Sequence, residues 1–379
     1  MRCCGAPRTV STPSQRSKPM QFAIPMPTPP RAVQRSLFTK FDTEIDHLLG
    51  VPRTRSAFQV DGQGLCAAVL DTGLRRSHIC FQGKVPDAHN FTDEGPPDDV
   101  TDVNGHGTNV AGLIAAATSD ERRGIAPGAN IVPLKVLPAR DMEPIVRALQ
   151  WVLTHAERVH ISVVNMSLGV PGINVTDDEH ARNQFPQLHS TIHALHARNI
   201  AVCVAAGNDY FAFQQEGMSV PAIFREAIAV GAVYDASVGP RSYTSGATAT
   251  RTRADQITPF TQRLSPDVSP ECYTDVFSAG GGATSAGAQD DDGTSTQDGT
   301  SQASPTVAGV VLLLQQHHLR LTNRLPPVAL LQDVLRSSST WLVDAHDFDD
   351  NVKNTGKKFP RINAFESMVA LDRFVKLQA

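Results

Sequence analysis

Residues 65–73 read LCAAVLDTG, a short apolar run that ends in a carboxylate and a turn signal. A continuous apolar run of this length predicts a strand that is buried on both faces of a parallel sheet. The run therefore places Asp71 at the carboxyl end of a buried strand. In open parallel sheets, ligands and catalytic groups gather at that edge.

Similar apolar runs alternate with longer amphipathic runs along most of the chain. This alternation predicts an α/β fold with a mostly parallel central sheet and helices on both faces. Two stretches, 234–275 and 280–299, lack clear periodicity and are predicted to be long loops. The predicted strands are 65–70, 131–136, 161–165, 200–205 and 227–233, and the predicted helices are 107–117, 143–159, 186–198 and 306–319.

Composition divides the chain into two parts. Residues 1–34 are rich in Pro, Ser, Thr and Arg and predict a disordered tail. Residues 35–379 show no internal repeat and no strong composition shift, so they are predicted to form one domain.

Charge and hydropathy exclude several classes of protein. The chain has 379 residues, of which 41% are hydrophobic, and its formal net charge is −4, so nothing draws it to nucleic acid. Its apolar runs fall far short of the ~20 residues that a membrane helix needs. The six cysteines are too sparse for a disulfide framework. No secretory signal is recognisable at the N-terminus, which favours the cytoplasm.

Four polar residues stand at predicted strand ends or helix starts. Asp71 is a candidate carboxylate and His106, between two glycines, a candidate general base. Ser301 lies ahead of an apolar helix and is a candidate nucleophile, while Asn208 follows a buried strand and could donate to an oxyanion. Each of them alone has a simpler alternative: a turn cap, a loop histidine, an N-cap or a turn asparagine.

The joint order Asp71, His106, Asn208, Ser301 resembles that of the subtilisin-like serine peptidases, the subtilases. The resemblance extends over residues 49–371. It implies a three-layer subtilisin-like fold, a triad of Asp71, His106 and Ser301, and an oxyanion donor at Asn208. It also implies that the chemistry needs no cofactor.

The same resemblance implies where substrate binds. Ser167, Leu168 and Gly169 resemble the segment that pairs with the substrate backbone. Asp209 and Ser219 fall where the family lines the pocket for the residue before the scissile bond, and a carboxylate there would favour Lys or Arg. Pro221 is expected to follow a cis peptide bond, and residues 277–280 resemble the turn ahead of the nucleophile loop.

One residue departs from the family pattern, and two possible metal sites are left open by the sequence. Gln302 follows the nucleophile where subtilisins commonly carry Met. Structural calcium is common in the family, and residues 290–292 and 344–350 are acidic, but no ligand can be assigned. His189, His193 and His196 share a predicted helix face with spacing that could hold zinc, although a solvated polar face is the alternative.

The sequence therefore predicts a serine endopeptidase that acts on protein or peptide substrates through an acyl-enzyme, without nucleic acid or membrane partners. Two alternatives remain, a catalytically silent peptide-binding or regulatory module and a peptidase dedicated to one precursor. The sequence predicts no oligomeric state.

Overall fold

The computed structural model describes residues 43–118 and 123–378. The tail predicted for residues 1–34 lies outside this part of the chain.

Nine strands form one central sheet in the order β12-β13-β9-β6-β5-β4-β1-β3-β2. All neighbours in it pair in parallel except the edge pair β12 and β13, which is antiparallel. The strands of the described chain are β1 (Cys66–Asp71), β2 (His89–Asn90), β3 (Asn130–Lys135), β4 (Ile161–Met166), β5 (Ala201–Ala205), β6 (Ile228–Tyr234), β7 (Arg241–Ser242), β8 (Thr248–Ala249), β9 (Val276–Gly281), β10 (Ala283–Ala286), β11 (Thr294–Gln297), β12 (Thr340–Val343) and β13 (Lys358–Arg361).

Helices cover both faces of the sheet, and residues of its central strands alternate between two large cores. In β1, Ala67 and Val69 pack in one core and Ala68 and Leu70 pack in the other. The helices are α1 (Thr43–Leu49), α2 (Val51–Phe58), α3 (His106–Ala115), α4 (Glu143–Val159), α5 (Asp178–Gln184), α6 (Pro186–Ala197), α7 (Tyr210–Phe213), α8 (Thr300–Thr322), α9 (Val328–Ser337) and α10 (Ala364–Gln378), and a short 3-10 turn spans Ile79–Phe81.

The two cores define three layers. The core on one face takes apolar residues from α3, α8, α9 and α10, and the core on the other face takes them from α4 and α6. This confirms the predicted α/β architecture, a mostly parallel sheet between two helical layers. It also brings the starts of α3 and α8 to the edge of the sheet where β1, β4 and β5 end.

The predicted helices and strands match the structure except around the nucleophile. The stretch 234–275, predicted as a loop, contains the short antiparallel pair of β7 and β8. The five predicted strands are correct to within one residue at each end. The helix predicted at 306–319 instead begins at Thr300, and residues 277–280 form most of β9 rather than a turn. The stretch 280–299, predicted as a loop, contains the antiparallel hairpin of β10 and β11.

Candidate active site

Asp71 and His106 form the best-defined contact of the site. Asp71 is the last residue of β1 and His106 is the first residue of α3. Asp71 Oδ1 lies 2.8 Å from His106 Nδ1, and both side chains are 1% exposed. A carboxylate at this distance accepts the Nδ1 proton, which leaves Nε2 as the basic nitrogen of the ring.

Two glycines allow this close approach. Gly105 has φ of +92°, a conformation that favours glycine. A Cβ on Gly107 would lie 2.3 Å from Gly73 O and 3.2 Å from Asp71 Cβ, so any larger residue would push α3 away from the end of β1. Glycine is therefore required at position 107 by packing and at position 105 by the backbone conformation.

Asp102 organises the loop ahead of His106, and sequence reasoning missed it. Its carboxylate accepts hydrogen bonds from Gly105 N and Thr108 N, both at 2.8 Å, and from Thr72 Oγ1 at 2.9 Å. It is 5% exposed. The available signal, a carboxylate shortly before a helix start, is a general capping pattern that does not mark a functional residue.

Opposing effects set the pKa of His106. Burial of the ring favours its neutral form, but the charge of Asp71, its hydrogen bond and the charge of Asp102 outweigh burial, so the pKa of His106 is raised above its ordinary value. The ring is therefore a stronger base than an isolated imidazole.

Ser301 lies in the first turn of α8, and the start of this helix depends on a residue that directly follows β4. Pro305 has no N–H to donate to Ser301 O, so this carbonyl would lack its helical partner. Ser167 Oγ donates to Ser301 O instead, at 2.6 Å. Asn165 in turn donates to Ser167 Oγ at 2.9 Å and accepts from Ser304 Oγ at 2.8 Å. Asn165 was also missed, because it reads as an ordinary residue of a buried strand.

The hydroxyl of Ser301 points to the segment after β4 in this structure. Ser301 Oγ donates to Ser167 O at 3.1 Å. His106 Nε2 is buried and has no hydrogen-bond partner, so serine and histidine are not hydrogen-bonded to each other. Gln297 Nε2 donates to Gly105 O at 3.2 Å, which joins the residue before His106 to the segment just ahead of Ser301.

Asn208 borders the start of α8. Its Oδ1 accepts hydrogen bonds from Thr300 N at 2.9 Å and from Thr300 Oγ1 at 2.8 Å. This fixes the amide so that Nδ2 remains as the outward donor. A Cβ placed on Gly299 would lie 3.2 Å from Asn208 Nδ2, 3.4 Å from Ser301 N and 3.0 Å from Gln302 Oε1, so the two nitrogens lie on either side of one point beside Gly299.

The residues predicted to bind substrate lie near these groups. Ser167, Leu168 and Gly169 directly follow β4 and carry no regular strand pairing of their own. Ser219 Oγ donates to Val170 O at 2.9 Å, and it would contact a Cβ on Gly169.

The neighbouring pocket candidates are also placed. Asp209 Oδ2 accepts a hydrogen bond from Gly172 N at 2.9 Å and is partly exposed. The peptide bond between Val220 and Pro221 is cis, as predicted.

Comparison with known proteins identifies the family. The sequence pattern of the subtilase family matches residues 62–358, which is most of the chain. This chain is a subtilase. The assignment confirms the resemblance that the order of the four polar residues suggested.

Curated relatives of this subtilase include bacterial and fungal proteins. The chain is 33% identical to the major intracellular serine protease of Bacillus subtilis over 46% of its own length and 52% of the relative. It is 33% identical to an intracellular serine protease of Paenibacillus polymyxa over 46% of its length and 51% of the relative. It is 30% identical to subtilisin-like protease 2 of Trichophyton equinum over 78% of its length and 59% of the relative. The subtilase thus matches about half of the length of the two bacterial relatives.

In this subtilase, two of the three histidines that could have held zinc contact a carboxylate instead. His189 and His193 both contact Glu226 Oε1, at 3.3 and 3.2 Å, and no bond joins His196 to that carboxylate. Among residues 43–118 and 123–378, no group of three or more His, Cys, Asp or Glu side chains is arranged to hold a metal ion. The zinc site is therefore not formed.

Several residues of the acidic stretches of the subtilase pair with arginines. Asp291 contacts Arg75 at 2.8 Å, while Asp347 and Asp349 both contact Arg253. No calcium ligand can be assigned from these contacts.

Two other expectations concern the cysteines and the membrane. Cys66 and Cys203 are fully buried, and both are free thiols. Within the described part of the subtilase, no helix has the length and apolar character to cross a membrane.

Proposed function

We propose that this subtilase is a serine endopeptidase in which Asp71, His106 and Ser301 form the catalytic triad. The observation that carries the proposal is the buried Asp71–His106 pair, in which His106 Nε2 has no partner. The helix that begins with His106, α3, packs against α8, the helix that carries Ser301. A basic nitrogen without a partner is what a general base requires before it takes a proton.

The reaction follows from these positions. Ser301 Oγ turns from Ser167 O to His106 Nε2 and loses its proton as it attacks the peptide carbonyl. The carbonyl oxygen becomes negative in the space bordered by Asn208 Nδ2 and Ser301 N, which donate to it. His106 then protonates the leaving amine, and water hydrolyses the acyl-enzyme. The chemistry needs no cofactor.

Substrate is proposed to lie along Ser167, Leu168 and Gly169 as an added strand. Ser219 would form the inner wall of the pocket for the residue before the scissile bond, and the partly exposed Asp209 would stand at its rim. A rim carboxylate favours Lys or Arg. Equal cleavage after Leu and after Lys by the wild type, unaffected by Asp209→Asn, would rule out this preference.

Two further proposals extend the assignment. Residues 35–379 are proposed to form the single peptidase domain, which the family match over residues 62–358 supports. An intracellular location is proposed because two relatives are named as intracellular proteases. Recovery of the native protein only from the medium would contradict this location.

One observation favours the alternative of a catalytically silent module. Ser301 Oγ donates its hydrogen bond to Ser167 O rather than to His106. The decisive experiment is hydrolysis of a random peptide library by the wild type and by Ser301→Ala. The proposal expects cleavage at internal bonds by the wild type alone. Binding without cleavage would favour the silent module, and cleavage of one narrow motif would favour a dedicated processing enzyme.

A further inference from the structure

Arg263 is the largest fully buried side chain of the described molecule, at 0% exposure. Its Nε and Nη2 contact the two oxygens of Asp344 at 2.9 and 3.1 Å, and its Nη1 donates to Thr261 O at 2.9 Å. Asn354 Oδ1 accepts a further bond at 3.3 Å. A buried ion pair is often no more stabilising than apolar residues of similar volume. Such a pair can instead fix one conformation of the groups around it.

The guanidinium of Arg263 also holds an aromatic ring. Its central carbon lies 3.5 Å from the centroid of Tyr210. Tyr210 is 1% exposed, and its hydroxyl donates to Lys353 O at 2.7 Å. The ring is therefore held by a desolvated cation on its face and by a hydrogen bond at its end.

Tyr210 is the first residue of α7 and lies two residues after Asn208. Gln262 N donates to Gly207 O at 2.9 Å, and Tyr210 N donates to Phe260 O at 3.1 Å. These two bonds bracket Asn208 on both sides. The segment just before Arg263 thus holds residues 207–210, the oxyanion loop, on both sides of Asn208.

We infer that Arg263 is a positioning residue, which holds the loop 207–210 through Tyr210 so that Asn208 Nδ2 and Ser301 N face the same oxyanion. The inference rests on the proposed function. A hydrogen-bond donor gains its catalytic value from being fixed before the charge develops, and a misplacement of about 1 Å can cost about 100-fold in rate. Arg263 touches no reacting atom and acts only through Tyr210.

The test compares Arg263→Lys with Arg361→Lys, each made in the wild type and in Asn208→Ala. Arg361 is a matched control because it is 6% exposed and pairs with both oxygens of Asp255, at 2.7 and 3.0 Å, while its other contacts are backbone carbonyls outside the oxyanion loop. Lysine keeps the charge but loses the planar, two-pronged contact.

Arg263→Lys is expected to lower kcat about tenfold with little change in KM, because a mispositioned donor affects mainly the transition state. In the Asn208→Ala background the further loss should shrink to less than about twofold, because the two residues act as one unit. Arg361→Lys should leave kcat within about twofold of the wild type in both backgrounds. An equal loss from Arg263→Lys with and without Asn208 would overturn the inference.

A second pair of variants covers the case in which Arg263→Lys does not fold. Tyr210→Phe keeps the ring and should retain most of kcat, whereas Tyr210→Leu should lose about as much as Arg263→Lys was expected to lose. Equal activity of the two tyrosine variants would contradict the inference.

Hydrogen exchange separates this inference from the proposed function. In Arg263→Lys the amides of residues 207–210 should exchange faster while those of α3 stay protected. If the wild type cleaves no peptide, the proposed function fails, and the exchange result still reports on positioning. Unchanged exchange at residues 207–210 would overturn the positioning role.

Discussion

At the scale of single residues, two buried carboxylates act on His106 by different routes. Asp71 contacts the ring directly and fixes which nitrogen carries the proton. Asp102 does not touch the ring, but it holds the loop before it and adds negative charge nearby. His106 must be neutral to accept the proton of Ser301, so both carboxylates set the pH at which the proposed enzyme works.

Asp102→Asn tests the electrostatic role of Asp102. The raised pKa keeps His106 protonated, and thus inactive as a base, to a higher pH than an ordinary histidine. Removal of the Asp102 charge should lower that pKa, so the acid limb of kcat/KM should move to lower pH. The pH dependence of peptide hydrolysis measures this limb.

Asp99→Asn serves as the control, since the charges that raise the pKa of His106 are those of Asp71 and Asp102. A limb that stays in place or moves upward in Asp102→Asn would contradict the assigned role.

Gln302 gives a chemical prediction at the position after the nucleophile. Its side chain is fully buried, and Nε2 donates to Gln297 Oε1 at 3.2 Å. Methionine at such a position would be oxidised to a larger, polar sulfoxide. The wild type should therefore tolerate peroxide better than Gln302→Met, as measured by the loss of peptidase activity over time. Equal rates of inactivation would show that residue 302 does not limit oxidative stability.

At the scale of elements, the start of α8 depends on β4 and the segment after it. Pro305 leaves Ser301 O without a helical donor, and Ser167 Oγ supplies the missing hydrogen bond. This explains why sequence reasoning placed the helix start after the proline. The donor lies far away in the sequence, and no local pattern reveals it.

Ser167→Ala should therefore lower the free energy of unfolding by about 1 to 3 kcal/mol, the cost of a buried carbonyl without a partner. The double variant Ser167→Ala/Pro305→Ala should recover part of that loss, because alanine 305 restores an N–H for Ser301 O. Chemical denaturation of the two variants and of Pro305→Ala alone measures the coupling. A cost of Ser167→Ala that is the same with proline and with alanine at position 305 would contradict this account.

At the scale of the whole molecule, the sequence predicted the parallel sheet and the strand ends better than the connections. The runs that became β1 and β5 are continuous and apolar, which is why their bounds were correct to within one residue. Residues 276–281 were missed as a strand because they contain small and polar residues, whose burial depends on Tyr234 and α8 packing over them.

In the candidate site too, local sequence patterns indicate some residues and not others. Asp71, His106, Asn208 and Ser301 were proposed from the sequence because each lies in a short glycine-containing stretch. Asp102 and Arg263 were not found, because their roles come from contacts with residues distant along the chain.

The ionisation of Asp275 makes the free energy of unfolding depend on pH. It lies just before β9, is 7% exposed, and burial raises its pKa to about 7, although hydrogen bonds from Ala229 N and Gln332 and the charge of Arg336 act in the opposite direction. The folded state then holds this proton more tightly than the unfolded state, whose pKa is about 4. The contribution of Asp275 to the free energy of unfolding is therefore lost as pH rises from about 4 through about 7.

Asp275→Asn removes this ionisation and keeps an oxygen for Ala229 N. The variant should gain in the free energy of unfolding relative to the wild type as pH rises, by at most about 4 kcal/mol at pH above about 7. Urea denaturation across this pH range measures the difference. A gap that is constant with pH would contradict the raised pKa.

The most direct test of the proposed triad is covalent labelling with a fluorophosphonate, followed by mass spectrometry to locate the adduct. The account predicts a single adduct on Ser301 of the wild type, no adduct in Ser301→Ala and strongly slowed labelling in His106→Ala, because an unactivated serine hydroxyl is a poor nucleophile. A folded wild type that takes up no probe, or an adduct on any residue other than Ser301, would contradict it.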